Sequence, residues 1–318
     1  MNITEKSLSV RSLIYLSIAA AVPFPTAAQP ASFPDFSQRE ARSADILKAQ
    51  ILLDRVGHSP GVIDGMMGSN TKRAIRAYQR ARGMAETGAV GPDLLAALQS
   101  EHEGPLLVRY EISAEDVAGP FVSVPSDMTS QSKLDRLGFE SPAEGLAEKF
   151  HMSQAFLKSL NPGVNFGEAG TTILVVANQP SDLPKVAKVE IDKAASEVRA
   201  LDGNGKIVAT YPATVGSGTF PSPNGTMEVR AIAPDPKYYF DPSGRDWGPD
   251  RNLTIAAGPN NPVGGTWIDL SKEGYGIHGT PDPALIGKTA SHGCVRLTNW
   301  DAEELARAVE PGTKVVFL

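Results

Sequence analysis

Between Ala44 and Leu98 apolar residues recur at helical spacing. Ile46, Leu47, Ile51 and Leu52 mark a first helix. Ala74, Ile75 and Tyr78 share a face of a second, which Ser69 or Asn70 is placed to cap and Gly83 to end. GAVGPDLLAAL supplies a third, and Asp64-Gly65 a tight turn. The pattern predicts a small three-helix bundle over residues 44–100. From 105 to 178 the signal weakens. PLLVRYEIS alternates as a strand does, SPAEGLAEKFHMSQAFLKSLNPG reads as two short helices, and TTILVVA closes as a strand. Ser141, Pro142 and Glu144 stand in the order that starts a helix. A small α+β module of strand-helix-helix-strand order is expected here.

Residues 179–187 are polar and proline-containing and predict a linker. Beyond them the period shortens to that of strands. AKVEIDKAASEVRALDGNGKIVATYPATVG reads as strand, strand, hairpin turn and strand, with Asp202-Gly203-Asn204-Gly205 tolerating positive φ in the turn. TMEVRAIA, LTIAA, TWIDLS, YGIHG and KVVFL are further short strands, and only WDAEELARAVE is helical in period. A mostly β, sandwich-like domain over 188–318 follows.

The N-terminus has a different pattern. Lys6 and Arg11 precede an apolar run from Ser12 to Val22, and Thr26-Ala27-Ala28 offers small residues for cleavage. The run is shorter than the roughly 20 residues that span a bilayer as a helix. Residues 1–28 therefore predict a cleaved secretory signal, with an uncleaved anchor as the alternative, and 29–43 a linker. The membrane is expected to be met only through that transient signal. Composition fits a globular exported chain: 41% hydrophobic and 21% charged, with a formal net charge of -6. No cluster of Lys and Arg stands out, which argues against nucleic acid as a partner.

One cysteine, Cys294, is present in 318 residues. It is a packing residue, an intermolecular link or a reactive thiol. Two of the five histidines stand in the same segment, GIHGTPDPALIGKTASHGCVRL. His278, at the end of a predicted strand, can act as proton acceptor while the Gly279 carbonyl holds its other nitrogen. Gly293 permits a tight turn whose N–H groups face a developing oxyanion. His292 is placed to orient the loop or polarise a substrate. His278, His292 and Cys294 could alternatively be three zinc ligands with an open fourth position. His58, His102 and His151 have no partner in sequence and are expected at the surface. YYFDPSGRDWGPDR, 238–251, reads equally as a lid or a plain surface loop.

These residues carry three resemblances. His278-Gly279-Thr280 followed by Ser291-His292-Gly293-Cys294-Val295-Arg296 resembles the signature of L,D-transpeptidases with the YkuD-type catalytic domain. VGSGTFPSPNGTMEV and AGPNNPVGGTWIDL match that family's glycine-rich loop and Asn-Pro turn. The stretch with Leu52-Leu53, Gly57, Gly61, Asp64-Gly65, Gly68, Thr71, Ala74, Tyr78-Gln79 and Gly88 resembles the type 1 peptidoglycan-binding domain. Residues 105–178 resemble a divergent LysM domain, with an insertion between Glu111 and Phe139.

The resemblance implies a periplasmic enzyme without cofactor or metal whose partner is peptidoglycan, both stem peptides and glycan strands. Cys294 would attack a tetrapeptide stem and keep it as a thioester, with His278 as base. Gly279, Ser291, His292 and Gly293 would support the pair, and Arg296, Tyr275 and Trp267 would contact substrate. Cross-linking, exchange of the terminal D-amino acid, hydrolysis by an L,D-carboxypeptidase, and release of a wall-attached protein are all compatible with this chemistry. A non-catalytic wall-binding protein is the alternative of a different class.

Overall fold

The computed structural model describes residues 43–102, 104–178, 183–216, 218, 220–243, 247–291 and 293–318. The expected signal over 1–28 and all but the last residue of the linker 29–43 lie outside them. Among the described residues no helix is long and apolar enough to cross a membrane.

Three helices open the described residues: α1 (Ala44–Arg55), α2 (Ser69–Ala81) and α3 (Pro92–Glu101). Leu52, Leu53, Ala74, Ile75, Tyr78, Leu94 and Leu98 close their shared core. Leu47 and Ile51 leave that core and join the next module's, so α1 is buried on two sides. Gln50, also buried, shapes the turn that follows: its Oε1 accepts from the N–H of Asp64 (3.1 Å) and Gly65 (2.7 Å). The N-cap of α2 is Gly68 rather than Ser69 or Asn70, because Asn70 reaches away to donate to the Ile286 carbonyl at 2.8 Å.

The middle module is built from β1 (Leu107–Glu111), α4 (Met128–Gln131), α5 (Pro142–Lys149), α6 (Gln154–Leu160) and β2 (Thr172–Val176). β1 and β2 pair antiparallel, Leu107 opposite Val176 and Glu111 opposite Thr172. The Ser141 and Ser153 hydroxyls cap α5 and α6 by accepting from Glu144 and Phe156 N–H, contributing about 1 kcal/mol each. The insertion before α5 straps the module to the next domain. Leu137 exchanges backbone hydrogen bonds with Ala257 (2.9 Å) and Asn260 (3.0 Å), and Arg136 pairs with Asp235 at 2.7 Å.

The rest of the chain forms β3 (Lys188–Asp192), β4 (Glu197–Leu201), β5 (Ile207–Pro212), β6 (Gly225–Pro234), β7 (Tyr238–Phe240), β8 (Leu253–Ile255), β9 (Thr266–Leu270), β10 (Gly276–His278), β11 (Val295–Arg296), α7 (Asn299–Ala308) and β12 (Lys314–Phe317). Eight strands make one sheet in the order β11-β10-β9-β6-β12-β3-β4-β5. Pairing is antiparallel except for β10 with β11 and β12 with β3. The sheet curls until its two ends meet: Thr214, just past β5, exchanges two 2.9 Å hydrogen bonds with Arg296 of β11. Val189, Val198, Tyr211, Val229, Ile268, Ile277, Val295 and Leu305 are buried in the core it encloses. Tyr238–Phe240 pairs with β8 as a hairpin, and Phe240 meets Trp247 edge to face at 5.3 Å, so part of the expected loop is strand.

Two expectations fail here. Val186, assigned to the linker 179–187, is fully buried in the sheet's core and its N–H donates to the Ala308 carbonyl, so the linker is shorter. His58 is buried; His151, partly exposed, is held by partners, and His102 is partly exposed at the end of α3. His58 sits where the helical module extends β5: Ser59 N–H donates to the Thr210 carbonyl and Thr210 N–H to the Gly57 carbonyl. Its Nδ1 meets Thr210 Oγ1 at 2.9 Å, and burial, aided by the Arg82 charge, pushes its pKa down to about 4. His151 stacks on Trp300 and bonds Asp54 at 2.9 Å. Burial opposes its charge, but Asp54 together with the charges of Asp301 and Glu304 raises the pKa. Neither partner is close in sequence, so the periodicity could not show them.

Candidate active site

The parallel pair β10–β11 carries the segment that the sequence singled out. Ile277 stands opposite Val295 and His278 opposite Arg296. Side chains alternate along strands, so Ile277 and Val295 enter the core while His278 and Arg296 share the other face; Cys294 stands in the bend that leads into β11. The crossover between the two strands brings Cys294, sixteen residues after His278 in sequence, to the start of the neighbouring strand. Trp267 of β9 stands opposite His278 on that same face and stacks on its ring, 5.4 Å between centroids and 23° between planes.

His278 is buried, at 3% exposure, and its Nδ1 lies 2.7 Å from the Gly279 carbonyl. A carbonyl accepts only, so Nδ1 carries the hydrogen and Nε2 the lone pair. Burial pushes the pKa down to about 4; the Gly279 carbonyl opposes it, the Arg296 charge adds to it, and the Val263 carbonyl opposes it. The ring is therefore neutral at neutral pH and able to accept a proton.

Cys294 is partly exposed, with Sγ 3.5 Å from the Gly274 carbonyl. The turn before it is held from several sides. Ser291, buried, donates from Oγ to the Cys294 carbonyl (2.5 Å) and accepts from the Gly293 N–H (3.1 Å). The Gly293 N–H, expected to face an oxyanion, is thus committed within the turn. Ser222 Oγ donates to the Gly293 carbonyl at 2.9 Å and accepts from Gly216 N–H at 2.8 Å. Gly293 has φ +113°, and a Cβ there would lie 3.1 Å from the Tyr275 ring, so only glycine suits the position.

Of the remaining expected residues, Tyr275 walls the turn and carries Lys272 Nζ 4.5 Å above its ring. Trp267 covers Gly276 as well as His278, where a Cβ would come within 2.4 Å of it. Its place is therefore a lid on the histidine as much as a wall of the cleft. Arg296 is half-buried, and among the described residues its guanidinium makes no ion pair or hydrogen bond. His292 lies outside the described residues. Ser222 was missed by sequence reasoning, although the glycine-rich loop that bears it was singled out. Its signal is Gly216, where a Cβ would come within 2.2 Å of the Ser222 nitrogen.

Similarity to known proteins agrees with this geometry. The profile of the L,D-transpeptidase catalytic domain, YkuD, matches residues 187–317, and that of a peptidoglycan binding domain matches 42–98. YkuD of Bacillus subtilis (strain 168), assigned as an L,D-transpeptidase, is 33% identical over 174 residues, which cover 54% of this chain and 90% of that one. Its counterpart in Bacillus licheniformis is 31% identical over 175 residues with the same shares. YbiS of Escherichia coli (strain K12), also assigned as an L,D-transpeptidase, is 28% identical over 222 residues, 67% of this chain and 72% of that one.

Proposed function

The chain belongs to the L,D-transpeptidases that carry the YkuD catalytic domain, with peptidoglycan as substrate or partner, and we propose that it cross-links stem peptides through a thioester on Cys294. The observation that supports this reading is the β10–β11 pairing, which sets His278 and Arg296 on one face and brings Cys294 to the start of β11, next to the strand that bears a neutral, oriented imidazole. Cys294 Sγ attacks the carbonyl of the third stem residue as its proton passes to His278 Nε2. The tetrahedral adduct collapses, the C–N bond to the terminal D-amino acid breaks, and His278 returns the proton to the leaving amine. An amine of a second stem then attacks the thioester, gives a proton to His278 and displaces the thiolate. The Gly293 N–H is committed to Ser291, so the oxyanion has to be met by a donor other than that group.

The Arg296 guanidinium suits a stem carboxylate, since it shares the catalytic face and two parallel N–H groups match two oxygens. Arg296→Ala is expected to lower kcat/KM for a tetrapeptide donor about 10- to 100-fold, with Arg296→Lys intermediate. Removing the charge also relieves its push on His278, so the acid limb of the pH profile moves up. An unchanged kcat/KM in Arg296→Ala would remove the carboxylate role.

The helical and middle modules would keep the enzyme on the polymer, the first on peptidoglycan and the second, LysM-like, on glycan. Binding to the insoluble lattice raises local concentration. Export to a periplasm rests on Lys6, Arg11 and the Ser12–Val22 run. Mature protein incubated with tetrapeptide-rich sacculi should yield new 3→3 linked dimers by mass spectrometry of muropeptides. Tripeptides alone would replace cross-linking by hydrolysis, and unchanged muropeptides would sink the enzymatic reading.

A further inference from the structure

Asn299, the first residue of α7, lies behind the candidate base. Its Oδ1 accepts from the N–H of Thr280 and of Gly265, both at 3.1 Å. Its Nδ2 donates to the Pro259 carbonyl at 3.1 Å and to the Glu148 carboxylate at 3.0 and 3.3 Å. Two donors on one side and two acceptors on the other admit a single orientation of the amide. Space is kept for it: a Cβ on Gly264 or on Gly279 would lie 2.1 Å from Asn299 Oδ1.

The Thr280 N–H and the Gly279 C=O belong to one planar peptide unit. Its C=O receives the Nδ1 hydrogen of His278, and its N–H is received by Asn299. Any rotation of that peptide plane would break both bonds together. Donation from its N–H also polarises the unit and strengthens its carbonyl as an acceptor. Glu148, which holds the far side of Asn299, comes from α5 of the middle module, 151 residues away in sequence.

We propose that Asn299 is a positioning residue for His278, clamping the Gly279–Thr280 peptide so that Nδ1 keeps its hydrogen and Nε2 its lone pair. Glu148 in turn orients Asn299, so the middle module takes part in catalysis and is more than a wall-binding attachment. The inference rests on His278 being the base. The Glu148 carboxyl, pushed up to about 7 mainly by burial, with Asn299 pulling it down and the Glu144 charge pushing it up, is sensitive to that environment.

The test uses the full chain labelled with 15N-histidine, in which long-range proton–nitrogen correlation reads the tautomer of His278 without turnover. The signal is assigned by its loss in His278→Gln. Wild type should show the Nδ1–H form. Asn299→Ala should show a mixture of tautomers, with kcat reduced about 10- to 100-fold and the donor KM within about 2-fold. Glu148→Ala should move both readouts in the same direction, and Glu148→Gln should restore them, because its amide oxygen still accepts from Asn299 Nδ2. A wild-type tautomer and kcat in Asn299→Ala overturn the proposal. Should that variant fail to fold, equal tautomers and kcat in Glu148→Ala and Glu148→Gln overturn it instead. If the tautomer responds to Asn299 while His278→Gln retains activity, the clamp stands and the assignment of the base fails.

Discussion

Cys294→Ala is expected to lose transfer between stem peptides altogether, a fall in kcat of roughly 10⁴-fold or more, because no other group can carry the acyl intermediate. Its structural cost should be small. The side chain is partly exposed, and the turn is held by Ser291 and Ser222 through backbone atoms of Gly293 and Cys294. Thermal unfolding of the variant should therefore match that of the wild type, which separates lost chemistry from lost fold. Intact mass after incubation with a carbapenem gives a second measure: one adduct on wild type, none on Cys294→Ala. An equal adduct on both proteins would move the nucleophile elsewhere. Chelators should leave wild-type acylation unchanged; inhibition by them would favour the zinc alternative for His278, His292 and Cys294.

His278→Gln is expected to lower kcat/KM by about 10²- to 10⁴-fold, the range that a general base contributes. The pH profile adds a test that the fold alone would not produce. Only the neutral ring accepts a proton, so activity falls as pH falls through the pKa of the histidine in the free enzyme. An ordinary histidine would place that limb near pH 6.5. Burial of His278, with the nearby Arg296 charge, lowers its pKa to about 4, so kcat/KM should hold at pH 5.5 and decline only below. Release of D-amino acid measured from pH 4 to 8 checks this. A limb at pH 6.5 in wild type would show that the buried ring is not the group that titrates. The same sign governs stability: a pKa depressed on folding gives stability that is present above pH 6.5 and lost as pH falls toward 4, in His58 as in His278. Glu148 and Asp301 work the other way. Their folded values of about 7 and about 8, raised chiefly by burial, give stability present in acid and lost as pH rises through them.

Much of this was legible in the chain because it depends on neighbours in sequence. The Ser141-Pro142-Glu144 start of α5, the Gly83 end of α2 at φ +66° and the Asp202–Gly205 hairpin turn are local devices, and each stands where the pattern places it. The strands of the last domain followed from alternation. Failures came where an element is buried by something distant. Helical spacing in α1 does not tell which apolar residue meets which module; Leu47 and Ile51 meet the middle one. His58 and His151 were placed at the surface because Thr210, Asp54 and Trp300, their partners, are remote in sequence. Ser222 and Asn299 carried no signal of their own, being small polar residues in segments read for their glycines or helical period.

By itself the sequence determined the kinds of element, their order and the chemical cast: one thiol, a histidine sixteen residues before it, and an arginine two residues after. Helical and strand periods, caps and turn glycines act over a few residues, so they are written in consecutive positions. Tertiary structure alone decided how the cast is arranged. Closure of the sheet between Thr214 and Arg296, the Gly57–Thr210 seam, and the path from Glu148 through Asn299 to the peptide that holds His278 join residues 82 to 153 positions apart. The first forms as one sheet closes on itself and the others join separate modules, and the burial that lowers the His278 pKa exists only in the folded structure.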